Sequence, residues 1–460
     1  MHKFFCMSFA PIASTLSIIL LTLFVSACGD SGSNMSETQN VGQEVTDVVI
    51  IHAPALLEVE AECDANVPVG LTDDMQSAIN LAETRYTDLL ERIANDQTSQ
   101  EYTDYTDING NWELANATRW TSGFLPGTLW YLFSLTDNQS WQVAAQTSTE
   151  NLQSIATATD NDTGFQIYSS YGIGRQMLGG VWTEADISIQ EAADTLMAER
   201  YNPDVGAFRA WPQSEDDPYQ ITSNNAFEVN VDMIMNMEVI LAAVQYSGND
   251  AQMVAAISHG DITWDNLMRP DFSSYHVAGF NADGSLSYTR THQGWHEDST
   301  WSRGQAWAVY GYAMLYRYTQ LPRMLERAQQ SYQFFKQAAF SQEASWVPYA
   351  DFDAAIDLRN PLDSSAAAIV ASAAIELYQL TENTLYLSDA HDILNTLTAD
   401  YLSEGTDFES LLIAASEQYV REDDDSTPNS AGYEIGASFG DFYFLESLYR
   451  LKNTTAPVCN

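Results

Sequence analysis

The sequence predicts an all-α chain, an (α/α)6 barrel of six helical hairpins closed into a ring, with one short β-hairpin in a long loop. Three observations carry that expectation. Apolar residues recur at helical spacing in about twelve segments. Some segments are apolar nearly all round and others carry charge along one face, as inner and outer helices of a ring should. Strand-like alternation is confined mainly to residues 274–290. No sharp internal repeat accompanies the pattern, so a superhelical array of helical hairpins is the competing architecture.

The first segment, 74–97, opens at Asp73-Asp74, two acids suited to a helix N-terminus, and is charged on one face. Segments 122–136, 140–157 and 165–179 follow, then 185–201, which is again one-sided. Segment 229–246 is apolar almost throughout and reads as buried; 249–267 follows it. Next comes 274–290, where Asp283-Gly284 suits a hairpin turn. Segments 303–319 and 321–339 precede 363–380, which opens at Asp363-Ser364-Ser365 and runs on through Ala366-Ala367-Ala368-Ile369-Val370-Ala371. Segments 384–402 and 437–452 complete the set. The loops before the inner helices are long and aromatic, and in a ring they gather at one mouth.

The ends carry their own signals. Residues 1–27 read as an export signal: Lys3, the apolar Ile18-Ile19-Leu20-Leu21-Thr22-Leu23-Phe24, then Val25-Ser26-Ala27-Cys28. That last run has the form of a bacterial lipobox, which makes Cys28 the acylated first residue; ordinary signal-peptidase cleavage is the alternative. Gly29 follows the cysteine, so the usual inner-membrane retention acid is absent and outer-membrane anchoring is expected, in the periplasm or at the cell surface. Residues 28–72 then form a tether and N-terminal arm, and 73–460 the catalytic domain. With Cys6 removed and Cys28 lipidated, Cys63 and Cys459 remain, and an oxidising compartment favours their pairing. The chain sets 18 basic residues against 63 acidic ones, a net charge of −45, which excludes nucleic acid as a partner and fits a saline habitat.

One stretch stands out chemically. Residues Thr291 to Trp307 hold three Trp, two His, two acids, two Gln and Arg303 just before a helix. Flat apolar faces, amides and a guanidinium together suit a polar ring bearing a carboxylate. This reads as a sugar-acid site. Two acids add to it. Asp232, in Glu228-Val229-Asn230-Val231-Asp232-Met233, lies in an apolar helix, where desolvation favours a proton-holding carboxyl; a hydrogen-bonded buried Asp is the alternative. Asp162, in Asp160-Asn161-Asp162-Thr163-Gly164-Phe165, has the place of a helix cap. A pair of carboxyls across a pocket permits acid–base work on a glycosidic or related bond.

Trp120, in a pre-helix loop where Gly123 lets backbone approach, and Trp211, in Gly206-Ala207-Phe208-Arg209-Ala210-Trp211-Pro212, fit either core packing or a stacking cleft with Trp307. His292 and His296 lack the metalloprotease order, Gly172-Ile173-Gly174 lacks a nucleotide loop's spacing, and no Gly-x-Ser-x-Gly elbow occurs. No metal or other cofactor is therefore expected.

Taken in order, Trp120-Thr121-Ser122-Gly123-Phe124, Asp162-Thr163-Gly164-Phe165, Asn230-Val231-Asp232, Thr291-His292-Gln293-Gly294, Ser299-Thr300-Trp301-Ser302-Arg303-Gly304-Gln305-Ala306-Trp307 and Gly440-Asp441-Phe442-Tyr443-Phe444-Leu445-Glu446 resemble the unsaturated glucuronyl hydrolases of glycoside hydrolase family 88, over roughly 75–452. The run Arg303-Gly304-Gln305-Ala306-Trp307 favours that family over the related unsaturated rhamnogalacturonyl hydrolases. The resemblance implies an (α/α)6 barrel and removal of a 4,5-unsaturated uronic acid from the non-reducing end of lyase-generated oligosaccharides. It implies Asp232 as general acid/base and Asp162 as second catalytic Asp. Trp120, Trp211, His276, His292, Gln293, Arg303 and Trp307 would contact substrate, with Arg303 on its carboxylate or else paired with Glu297 or Asp298. Asn161 stands where the family often has His. A glycan-binding lipoprotein and another (α/α)6 glycosidase are the rival readings.

Overall fold

In a computed structural model the described residues are 63–95, 98–211, 227–343, 345–419, 435–457 and 459, all within one compact unit. The expected signal, Cys28 and most of the tether lie outside them.

The long helices run in order α1 (Asp73–Asn95), α2 (Phe124–Thr136), α3 (Gln139–Glu150), α4 (Thr163–Ile167) continued through a π turn into α5 (Ile173–Met177), α6 (Thr183–Glu199), α7 (Met237–Ser247), α8 (Asp250–Leu267), α9 (Ser302–Thr319), α10 (Pro322–Gln342), α11 (Ser364–Thr381), α12 (Thr384–Asp400) and α13 (Ser438–Lys452). With the α4–α5 run counted as one, each falls on an expected segment. Burial sorts them. Every residue of α9 from Ser302 to Leu315, and of α11 from Ser364 to Tyr378, is buried, whereas α10 buries only Met324, Ala328, Ser331, Tyr332, Phe335 and Ala339, one stripe.

The inner helices meet in sequence, α2 on α5, α4 on α7, α7 on α9, α9 on α11 and α11 on α13. Helix α13 then packs back on α2, and α1 lies outside against α2 and α12. That return closes the ring. An open superhelix would leave first and last inner helices apart, so the fold is the (α/α)6 barrel. Asp363 caps α11 as expected, its Oδ1 accepting from Ser365 N at 3.1 Å; at α1 the hydroxyl of Thr72, rather than an acid, accepts from Met75 N at 3.3 Å. Cys63 and Cys459 form the expected disulfide. Among the described residues no helix is long and apolar enough to cross a membrane.

The strands correct the expectation of a single hairpin. β1 (Tyr102–Thr106) pairs with β2 (Trp112–Ala115), and β3 (Tyr201–Asn202) with β4 (Ala207–Phe208). The expected hairpin is β6 (Val277–Phe280) with β7 (Leu286–Arg290), but β5 (Phe227–Asn230) joins it, antiparallel to β6. Residues 227–230 continue the apolar run of α7, which hid the strand. Between β5 and α7 lies a 3-10 turn, Val231–Asn236, so Asp232 sits on that turn and not within a regular helix.

Candidate active site

The register of β5 on β6 sets Asn230 opposite Val277, and Val231 N donates to the His276 carbonyl at 2.9 Å. Those bonds place His276 beside Asp232, with Nε2 3.2 Å from Oδ2. His276 Nδ1 accepts from the backbone N–H groups of His292 (3.1 Å) and Gln293 (3.2 Å). An Nδ1 that accepts twice cannot carry the ring proton of a neutral imidazole, so that proton is assigned to Nε2, the nitrogen facing Asp232. The angles are nonetheless poor. Both Nε2 and Oδ2 are buried and make no well-formed hydrogen bond among the described residues.

Asp162 begins α4 but caps nothing. Its Oδ1 accepts from Asn236 Nδ2 at 3.2 Å, and Asn236 Oδ1 accepts from Phe165 N at 2.8 Å. A Cβ on Gly164 would stand 2.6 Å from that Asn236 oxygen, so only glycine admits the amide here. Burial pushes the Asp162 carboxyl up to about 7, helped by the charges of Asp160 and Asp232 and opposed by hydrogen bonds from Asn236 and Asn161. The two aspartates therefore share one environment. Burial thus acts on the second of the two acids singled out in the sequence as well as enclosing the first.

Aromatic rings line the space. Trp211 lies 5.3 Å from the His292 ring and 6.1 Å from His276, and His276 lies 4.7 Å from Trp301. Half-buried Trp120 packs against Phe439 (5.4 Å), Phe124 and Phe165, and Gly123 makes its loop possible, since a Cβ there would stand 2.4 Å from the Gln166 carbonyl oxygen. Trp307 departs from expectation. It is 2% exposed and edge-on to Phe165 and Tyr443, so it packs in the core instead of offering an open stacking face.

Arg303 departs further. Its guanidinium bonds Asp363 Oδ2 at 2.7 Å, the Ser416 carbonyl, and the Glu417 carbonyl at 2.5 Å; its side chain is 1% exposed. It pairs with neither Glu297 nor Asp298, because the helix start that positions it also faces the Asp363 cap of α11. Gln293 is similarly committed, its Nε2 donating to the Glu417 carbonyl at 3.0 Å. Arg303 and Gln293 thus hold the 416–417 loop at the mouth.

Sequence reasoning missed Asn236 and Asp351. Asp351 Oδ2 accepts from Ser299 Oγ (2.6 Å) and Trp295 N (2.8 Å), and burial pushes its carboxyl up to about 6. Neither carried a local signal; Asn236 lies one helical turn beyond Asp232, and only that spacing pointed to it. No group of metal-binding side chains occurs among the described residues.

Asp232 and Asp162, whose charges feel one another beside the Trp211, His276 and His292 rings, give this (α/α)6 barrel the paired carboxyls of a glycosidase. No protein-family model matches the chain. An unsaturated glucuronyl hydrolase of Formosa agariphila is 36% identical over 338 residues, 73% of this chain and 80% of that protein. One from a Bacillus species is 28% identical over 356 residues, 75% of this chain and 90% of that one. A crystal structure of an unsaturated glucuronyl hydrolase specific for heparin superposes with a TM-score of 0.72 at 30% identity, covering 82% of this chain and 97% of that one. The chain belongs to the unsaturated glucuronyl hydrolases.

Proposed function

We propose that this enzyme removes a 4,5-unsaturated uronic acid from the non-reducing end of lyase-generated oligosaccharides by hydrating the C4=C5 bond. The observation that carries the reading is the buried Asp232 Oδ2, 3.2 Å from His276 Nε2 and close enough to Asp162 for the two carboxyls to feel one another's charge. The double bond is an enol ether, electron-rich at C4. Asp232 delivers a proton to C4, the ring oxygen shares the positive charge arising at C5, and water adds there while returning a proton to Asp232. The hemiketal opens by breaking its C5–O5 bond, leaving a C5 ketone and a hemiacetal hydroxyl at C1. Collapse of that hemiacetal to an aldehyde expels the neighbouring sugar as its alcohol. No nucleophile attacks the anomeric carbon.

Asp162 has a different part. Burial raises its carboxyl to about 7, so below that pH it adds little negative charge beside an anionic sugar. Trp211, His292 and Trp120 supply the walls. We propose also that Cys28 is acylated and anchors the enzyme to the outer membrane, on the strength of the Val25-Ser26-Ala27-Cys28 run.

The test is a panel of lyase products from glycosaminoglycan, ulvan, gellan and xanthan type chains. Wild type should abolish the ultraviolet absorbance of the conjugated double bond with at least one of them. Asp232→Asn should fold and lose at least ~10³-fold in kcat. Binding without loss of absorbance would favour a glycan-binding protein, and cleavage of saturated substrates alone another (α/α)6 glycosidase.

A further inference from the structure

We infer that Asn236 is a positioning residue that fixes on which oxygen Asp162 carries its proton. The inference rests on the activity proposed above and goes beyond it. Three contacts make the argument. Phe165 N donates to Asn236 Oδ1 at 2.8 Å, which settles the orientation of the amide: its oxygen faces the α4 backbone and its NH2 faces Asp162. Asn236 Nδ2 then donates to Asp162 Oδ1 at 3.2 Å. With Oδ1 engaged as an acceptor, a proton taken up by Asp162 goes to Oδ2. The amide cannot turn over without leaving Phe165 N unpaired and setting two donors against each other.

Rigidity supports the assignment. Asn236 is fully buried at the last position of the 3-10 turn that carries Asp232, and Gly164 closes over its side chain with no room for a Cβ. One turn of backbone therefore carries both the carboxyl that exchanges protons with substrate and the amide that orients its partner. Asp232 and Asn236 stand on one short 3-10 turn, so a shift of either end moves both.

The charged groups facing Asp162 are few. Asp160, on its own loop, accepts from Asp162 N at 2.9 Å; Asp232 faces it from the 3-10 turn; Arg200, at the end of α6, feels both Asp160 and Asp162. Asn161 and Asn236 supply the hydrogen bonds that favour the charged form. Losing the Asn236 donor leaves burial and the two acids less opposed, so Asp162 keeps its proton to higher pH.

The experiment compares kcat/KM against pH for wild type, Asn236→Asp and Asn236→Ala on an unsaturated disaccharide. Asn236→Asp retains an acceptor for Phe165 N and replaces the donor with a second carboxylate; it should move the alkaline limb upward by about one pH unit or more. Asn236→Ala should move it the same way by less. A structural role alone would lower rates evenly across pH or depress the melting temperature without moving the limb. An unmoved limb in either folded variant overturns the inference.

If neither variant folds, isotope-edited infrared spectra of wild type against Asp162→Asn decide it. A neutral Asp162 whose carbonyl stretch is lowered by hydrogen bonding supports the assignment, and an unbonded carbonyl stretch refutes it. Wild type inert toward every lyase product would instead defeat the proposed activity, and the infrared result would still read the proton's place.

Discussion

At Arg303 a guanidinium with almost no solvent contact meets a carboxylate, Asp363, that is itself wholly buried. Breaking such a pair by removing one partner leaves an uncompensated buried charge, typically a loss of about 3–5 kcal/mol. Arg303→Ala should therefore lower stability by that order in a denaturant titration, and free the Ser416 and Glu417 carbonyls it holds. A variant with unchanged stability and only a raised KM would return Arg303 to the substrate's carboxylate. Asp162 and His276 show the same dependence on remote partners. The residue types of the site were legible in the sequence, and so were Asp232 and Asp162 as a pair. Their roles were not, because the His276 tautomer is set by backbone N–H groups from another loop and Asp162 is bonded by an amide on another turn.

Among the elements, the helices were readable and the small strands were not. A long helix such as α10 repeats its apolar stripe over five turns, enough to stand above noise. β3 and β4 contribute two residues each, and β5 continues the hydrophobic run of the helix after it, so neither length nor alternation marked them. Yet the β5–β6 register is what brings Asp232 to His276. Gly123 shows where an element boundary sets the cleft. Gly123→Ala forces a Cβ to within 2.4 Å of the Gln166 carbonyl oxygen, which must move with α4 and with Asp162. The expected cost is about 1–3 kcal/mol of stability, with a fall in kcat beyond what the lost folded fraction explains. Thermal unfolding beside kinetics checks it; normal values for both would mean the loop yields without consequence.

For the whole molecule, pH acts through a few buried acids. Burial pushes Asp162 and Asp441 up to about 7. A carboxyl whose folded value is raised binds its proton more tightly in the native state, so stability falls as pH rises toward that value. His259 works oppositely. Its folded value is lowered to about 3 by burial, which favours the native state as pH rises to about 6.5 and is complete above that. Between pH 6.5 and 8 the two acids dominate, and stability should fall by on the order of 1–2 kcal/mol, read as a drop in melting temperature. A flat or rising melting temperature over that window would contradict the burial assigned to these groups.

Taken alone, the sequence determined the helices, their sorting into inner and outer sets, the pairing of Cys63 with Cys459 and the composition of the cleft. These follow from local periodicity, local composition and cysteine count. Only the tertiary structure decided that α13 returns to α2, that Arg303 serves Asp363, that Trp307 is buried, and that Asn236 bonds Asp162. Each of those depends on which distant groups share a desolvated space. A hydrogen-bond partner or a neighbouring charge is chosen by packing across the ring, and local periodicity does not record it.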